Sequence, residues 1–113
     1  MCILALTLML AACGGDLAEK LYGAWKSEKV GDNGKPTVVL FTKDTLNMNG
    51  KVTNVVYKSI AVSLDISDAA SQKTIIMATN IEKNDVMFTG DAFDGKVKFL
   101  RISEDEAKSI LAQ

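Results

Sequence analysis

Thr45-Leu46-Asn47-Met48-Asn49-Gly50-Lys51-Val52-Thr53-Asn54-Val55-Val56-Tyr57 reads as a β-hairpin. Asn49-Gly50 separates two segments of apolar and β-branched residues. Asn-Gly suits a type I′ turn, whose twist matches that of the strands it joins. A turn this tight commits the neighbouring chain to antiparallel pairing. Immediately upstream, Thr37-Val38-Val39-Leu40-Phe41-Thr42 is apolar at successive positions, which predicts a strand covered on both faces, and Lys43-Asp44 ends it. The dense turn cluster Gly31-Asp32-Asn33-Gly34-Lys35-Pro36 separates that strand from a first one over residues 21–29.

Downstream, residues 60–66 alternate, with Ile60, Val62, Leu64 and Ile66 on one face and Ala61, Ser63 and Asp65 on the other. That alternation predicts one strand. Residues 68–72 form a polar loop and residues 73–81 a strand, with a turn at Glu82-Lys83-Asn84. A short strand over 85–90, a turn over 91–95 and a last strand over 96–102 follow. On that last strand Val97, Phe99 and Arg101 share a face, opposite Lys96, Lys98, Leu100 and Ile102. The fold class is therefore mainly β: an antiparallel meander of about eight short strands, closed as a small barrel or folded as a sandwich.

Two capping-box spacings bracket the strands. Asp16-Leu17-Ala18-Glu19 predicts a short helical turn through Tyr22. Ser103-Glu104-Asp105-Glu106 predicts a C-terminal helix with its acidic residues at the positive end. Ala107, Ile110 and Leu111 fall on one face of that helix. So short a helix is marginal alone, so that face should pack on the sheet.

Composition removes several function classes. The chain has 113 residues, 13 Lys plus Arg, 14 Asp plus Glu and no His. It is long enough for one small domain, and a near-zero net charge offers no broad basic surface for nucleic acid. Without His there is no Ser-His-Asp or Cys-His nucleophile pair, and no zinc or copper site built on imidazole. No cofactor is expected, and non-catalytic function is the expectation. Asp91-Ala92-Phe93-Asp94-Gly95 and Asp32-Asn33-Gly34 lack the ligand spacing of a calcium loop and read as turns. Met48, Met77 and Met87 read as core filler, and Tyr57 and Phe41 as packing residues.

The segment before the domain carries a second message. Residues 1–12 hold no charge and include Ile3, Leu4, Leu6, Leu8, Met9 and Leu10. A bilayer span needs about 20 apolar residues, whereas the core of an export signal needs roughly 7–15. The length points to a signal. No Lys or Arg precedes the apolar core, which places the expected true start upstream or makes Met1 a misassigned start. Leu10-Ala11-Ala12-Cys13 then resembles the lipobox of bacterial lipoproteins. That resemblance implies cleavage before Cys13, a diacylglycerol on the Cys13 sulfur and an acylated new amino terminus. It divides the chain into a signal peptide (1–12), a lipid-anchored tether (13–15) and a single β domain (16–113). Cys2 would leave with the signal, so the mature protein would hold no free thiol. Gly14, where inner-membrane lipoproteins carry Asp, implies an outer-membrane location facing the periplasm.

Gly23-Ala24-Trp25, on the first strand after a short helical turn, resembles the G-x-W motif of the lipocalin-like (calycin) barrels. In that family the Trp packs at the closed end of an eight-stranded barrel beneath an Arg from the last strand. Arg101, the only Arg of the chain, stands on the expected last strand, so the resemblance implies that Trp25 and Arg101 meet. Together these readings describe a lipid-anchored envelope lipoprotein that binds a small apolar ligand or an envelope component. The alternative is an inhibitor or immunity-type lipoprotein acting on another protein through loops or a sheet edge. A ligand binder should have an open apolar interior, and a protein binder a filled one.

Overall fold

In the computed structural model the Asn49-Gly50 turn forms as read. Asn49 (φ 54°) and Gly50 (φ 95°) both adopt positive φ, and the turn side chains tie it in two directions. Asn49 Oδ1 accepts from the Val38 N–H at 2.9 Å, and Asn47 Oδ1 accepts from the Gly50 N–H at 2.8 Å. The structure describes residues 12–30, 34–90, 93 and 95–112, with side chains from Leu17 onward. The signal segment over 1–11 and the side chain of Cys13 lie outside the described residues, as do Asp32, Asn33, Asp91 and Asp94 of the two Asp-containing turns.

The elements in chain order are helix α1 (Ala12–Leu21), then strands β1 (Gly23–Val30), β2 (Pro36–Phe41), β3 (Thr45–Met48) and β4 (Lys51–Ile60). Strands β5 (Ser63–Asp68), β6 (Thr74–Thr79), β7 (Asp85–Thr89) and β8 (Lys96–Ile102) follow, and helix α2 (Glu104–Leu111) ends the described chain. Each strand pairs antiparallel with the next, and β1 pairs with β8, so the meander closes into a barrel rather than a sandwich. Among the described residues, closure leaves no sheet edge open to another chain.

Interior positions alternate along each strand. Trp25, Val39, Phe41, Leu46, Val55, Leu64, Ile66, Ile76, Ala78, Val86, Phe88 and Phe99 fill the barrel, with Ala18 and Leu21 of α1 closing one end. Phe88 lies against Phe41 (centroids 5.6 Å apart), Phe93 (6.2 Å) and Phe99 (4.7 Å), so aromatic rings meet across the middle of the interior. Ring pairs at these separations contribute roughly 0.5–1.5 kcal/mol each beyond the area they bury.

The two-faced apolar pattern of residues 37–42 has its explanation in α2. Val39 and Phe41 point into the barrel, while Val38 joins Ala24 and Ala107 in a second cluster outside it, packed by Leu40, Ile102, Ile110 and Leu111. The Ser103 hydroxyl caps α2 by accepting from the Glu106 N–H at 3.1 Å. The reciprocal half of the expected capping box is replaced by a longer-range contact: the Glu106 carboxylate lies 2.8 Å from the Lys26 ammonium on β1. The buried Ser27 handles an irregularity of β1, accepting from the Thr37 N–H and donating to the Lys29 carbonyl.

Some local expectations are corrected. Residues 60–66 are not one strand. Ile60 ends β4, Ala61-Val62 makes a two-residue turn with Ala61 at φ 56°, and β5 starts at Ser63. Leu64 and Ile66 are buried as the alternation requires, whereas Ile60 and Val62 are 45 % and 81 % exposed. Helix α1 begins at Ala12, so Asp16 lies within the helix rather than capping it, and Gly14-Gly15 are helical rather than an extended tether. With Ala18 and Leu21 held on the barrel, continuing the helix upstream is opposed mainly by the propensity of Gly, about 1 kcal/mol per residue. Met48 packs on the core, but Met77 and Met87 face outward, alternating with the buried Ile76, Ala78, Val86 and Phe88.

Candidate functional site at the helix-capped end of the barrel

Gly23, the first residue of β1, turns the chain from α1 into the barrel at φ 122°, a conformation that side chains resist. A Cβ there would also lie 2.8 Å from Arg101 Nη1. The positive φ thus calls for glycine at the first position of Gly23-Ala24-Trp25, and a side chain there would also displace the end of Arg101. Two residues on, Trp25 points inward and is wholly buried, and its Nε1–H donates to the Leu21 carbonyl at 2.8 Å.

Arg101 is the cross-strand partner of Trp25 in the β1–β8 ladder that closes the barrel, and its guanidinium carbon stands 4.1 Å from the indole centroid. This meeting is the one implied by the resemblance of Gly23-Ala24-Trp25 to the G-x-W motif, and closure delivers it. The guanidinium also donates three hydrogen bonds to backbone carbonyls: Nη2 to Lys20 (2.6 Å), Nη1 to Tyr22 (3.0 Å) and Nε to Lys83 (2.7 Å). Lys20, Leu21 and Tyr22 form the C-terminal end of α1, where carbonyls lack helical partners and the helix dipole is negative. Trp25 and Arg101 therefore act together as a C-terminal cap made by two strands, and Nε extends it to the β6–β7 loop. Burial lowers the Arg101 pKa, yet a guanidinium keeps its charge at any physiological pH. The three carbonyls carry no sequence signal, because any residue type supplies one.

Beside this cap, Glu19, Lys20, Tyr22, Ile81, Glu82, Lys83 and Arg101 line an open cleft of about 590 Å³. Its floor is the guanidinium already committed to carbonyls, and its rim mixes both signs of charge. Tyr22 packs edge-on against Tyr57, centroids 5.7 Å apart, and Tyr57 donates its hydroxyl to the Thr42 carbonyl. Burial, then the neighbouring Tyr22 and Asp44, holds the Tyr57 phenol well above its ordinary range, and burial with Glu19 and Asp44 raises that of Tyr22. Tyr57 is a hydrogen-bond donor at neutral pH and ties β4 to the β2–β3 turn, while its ring contact with Tyr22 holds the end of α1 beside it.

A second cleft of about 400 Å³ lies outside the barrel, lined by Glu28, Lys29, Met87, Lys96, Val97 and Lys98. Among the described residues no three His, Cys, Asp or Glu side chains cluster as metal ligands would, and no helix is long and apolar enough to cross a membrane. No family model, no characterised protein and no solved structure matches the chain.

Proposed function

We propose that this protein is a lipid-anchored lipoprotein of the bacterial cell envelope, held at Cys13, whose barrel is a non-catalytic module that binds a protein partner. The observation that carries the choice of partner is the filled interior. Phe41, Phe88 and Phe99 are buried in the barrel interior, with the Phe88 ring against both of the others, in the space an apolar ligand would need. Opening such a core to admit a ligand would forfeit close packing at roughly 2–5 kcal/mol per displaced large side chain. This favours the inhibitor or immunity-type reading over a small apolar ligand. Val30 and Val52 support it, being 62 % and 61 % exposed on the rim away from α1. The lipobox match at Leu10-Ala11-Ala12-Cys13 supports the anchor, and the Trp25–Arg101 cap supports the likeness to calycin barrels.

The test is native mass spectrometry of protein extracted from envelope membranes with its complete signal, joined to photo-crosslinking from Val30 and Val52. The expected mass is that of the chain from Cys13 plus acyl chains, with crosslinks to an envelope protein. A co-extracted apolar molecule bound one to one would overturn the protein-binding reading. Undiminished fatty-acid labelling in Cys13→Ser would overturn the anchor.

A further inference from the structure

The β4–β5 hairpin carries an apolar ridge that the fold leaves uncovered. Val56 and Ile60 lie on the outward face of β4 at 52 % and 45 % exposed, and Val62 in the turn is 81 % exposed. Lys58 stands between them on the same face. β-branched apolar residues at the tip of a two-residue turn are unusual, because turn tips favour Gly, Asn and Asp. Ala61 moreover holds φ 56° without being glycine or asparagine.

The position of the hairpin says what covers it. Helix α1 lies against β4 and β5, with Tyr22 on Tyr57, so α1 and the hairpin occupy one end of the barrel. From Tyr57 the strand continues three more residues to Ile60, reaching about 10 Å further at roughly 3.3 Å per residue. From Leu17 back to Cys13 the helix rises only about 6 Å at 1.5 Å per residue. An acylated Cys13 would thus bring the bilayer to the end of the barrel from which the hairpin projects.

We infer that the Val56-Ile60-Val62 hairpin is a second membrane contact, its apolar tip seated in the interfacial layer of the bilayer and Lys58 among the lipid phosphates. This rests on the anchor reading given above. Interfacial elements bury an apolar face about 5–10 Å into the headgroup boundary, a depth this tip can reach while the barrel stays outside. Two contacts, one covalent and one from the hairpin, orient the barrel so that the Val30 and Val52 rim faces away from the membrane.

The experiment uses the full acylated protein in vesicles of phosphatidylethanolamine and phosphatidylglycerol. Acylation of Cys13 leaves the mature chain without a free thiol, so Val62→Cys or Val52→Cys accepts a single environment-sensitive fluorophore. Flotation with the vesicles reports the anchor independently of the probe. The expected result is flotation of both proteins, with emission from position 62 blue-shifted, severalfold brighter and quenched by headgroup-labelled nitroxide lipids. Position 52 should read as water. Flotation with position 62 in water overturns the inference and leaves the anchor standing. A blue-shifted probe at 62 that nitroxide lipids do not quench also overturns it, in favour of a second copy of the chain. Quenching at both positions overturns it too, since the barrel would then lie on its side. Loss of flotation removes the anchor reading and this inference together.

Discussion

Arg101→Ala should be among the most destabilising changes at any partly exposed position of this barrel. The substitution removes three hydrogen bonds to the Lys20, Tyr22 and Lys83 carbonyls and a guanidinium 4.1 Å from the Trp25 ring. Each hydrogen bond contributes about 0.5–1.5 kcal/mol net. Water can re-solvate the Lys20 and Lys83 carbonyls, whose bonds are exposed, so those two stand at the lower end. The Tyr22 carbonyl, in a part-buried bond, stands higher. The cation–π contact adds about 0.5–1 kcal/mol at such a site, and the total is about 2–3 kcal/mol. At about 4–8 °C per kcal/mol for a domain of this size, Tm should fall by roughly 8–24 °C. Arg101→Lys, able to reach one carbonyl and unable to stack as a plane, should lose about half of that. Thermal and urea melts of the chain from Ala12 with Cys13→Ser are the assay, followed through the fluorescence of Trp25, the only Trp. Lys98→Ala, three residues away on the opposite face, is the control. A double-mutant cycle with Trp25→Phe, followed by far-ultraviolet circular dichroism because that variant has no Trp, should give a coupling of about 0.5–1 kcal/mol. An Arg101→Ala protein within about 0.5 kcal/mol of the parent, the range of ordinary surface changes, would refute the idea that this side chain caps α1.

Three other outcomes are expected. Asn49→Ala removes the acceptor of the Val38 N–H and a residue suited to φ 54°, so it should destabilise by about 1–3 kcal/mol in the same melts. Ala61→Gly relieves the positive φ of the β4–β5 turn and should stabilise by about 0.5–1 kcal/mol; an unchanged midpoint would count against that turn geometry. Stability should also fall above pH ~10, the ordinary tyrosine value. Tyr57 and Tyr22 hold their protons more tightly folded than unfolded, so their contribution is complete below the unfolded pKa and lost as pH rises toward the folded one. Tyr57→Phe should flatten that alkaline decline while reducing neutral-pH stability by about 0.5–1.5 kcal/mol, the worth of one hydrogen bond.

Much of this architecture was legible in the residues themselves. Asn49-Gly50, the turn clusters and the alternation at Val97 to Arg101 depend on local backbone sterics and on side-chain period, which act within a few residues. They specified eight strands, the antiparallel meander and the C-terminal helix. The lone Trp on the first strand and the lone Arg on the last predicted a contact that follows once the two strands become neighbours.

The choice of barrel over sandwich belonged to tertiary structure, because closure depends on how strand tilt and register accumulate over the whole sheet. Closure decided that Trp25 and Arg101 face each other. It also set the Lys20, Tyr22 and Lys83 carbonyls around the guanidinium. The break at Ala61-Val62 was hidden for a related reason. Neither residue is a turn former, and the alternation of Ile60, Val62, Leu64 and Ile66 looks the same whether the chain runs on or reverses. Pairing of Ile60 with Ser63 decided between them. The sequence alone determined the period of burial along each strand, since that is set by the pleat. Which apolar positions were left in the open, Val56, Ile60 and Val62 among them, emerged only when the barrel and its two helices had covered the rest.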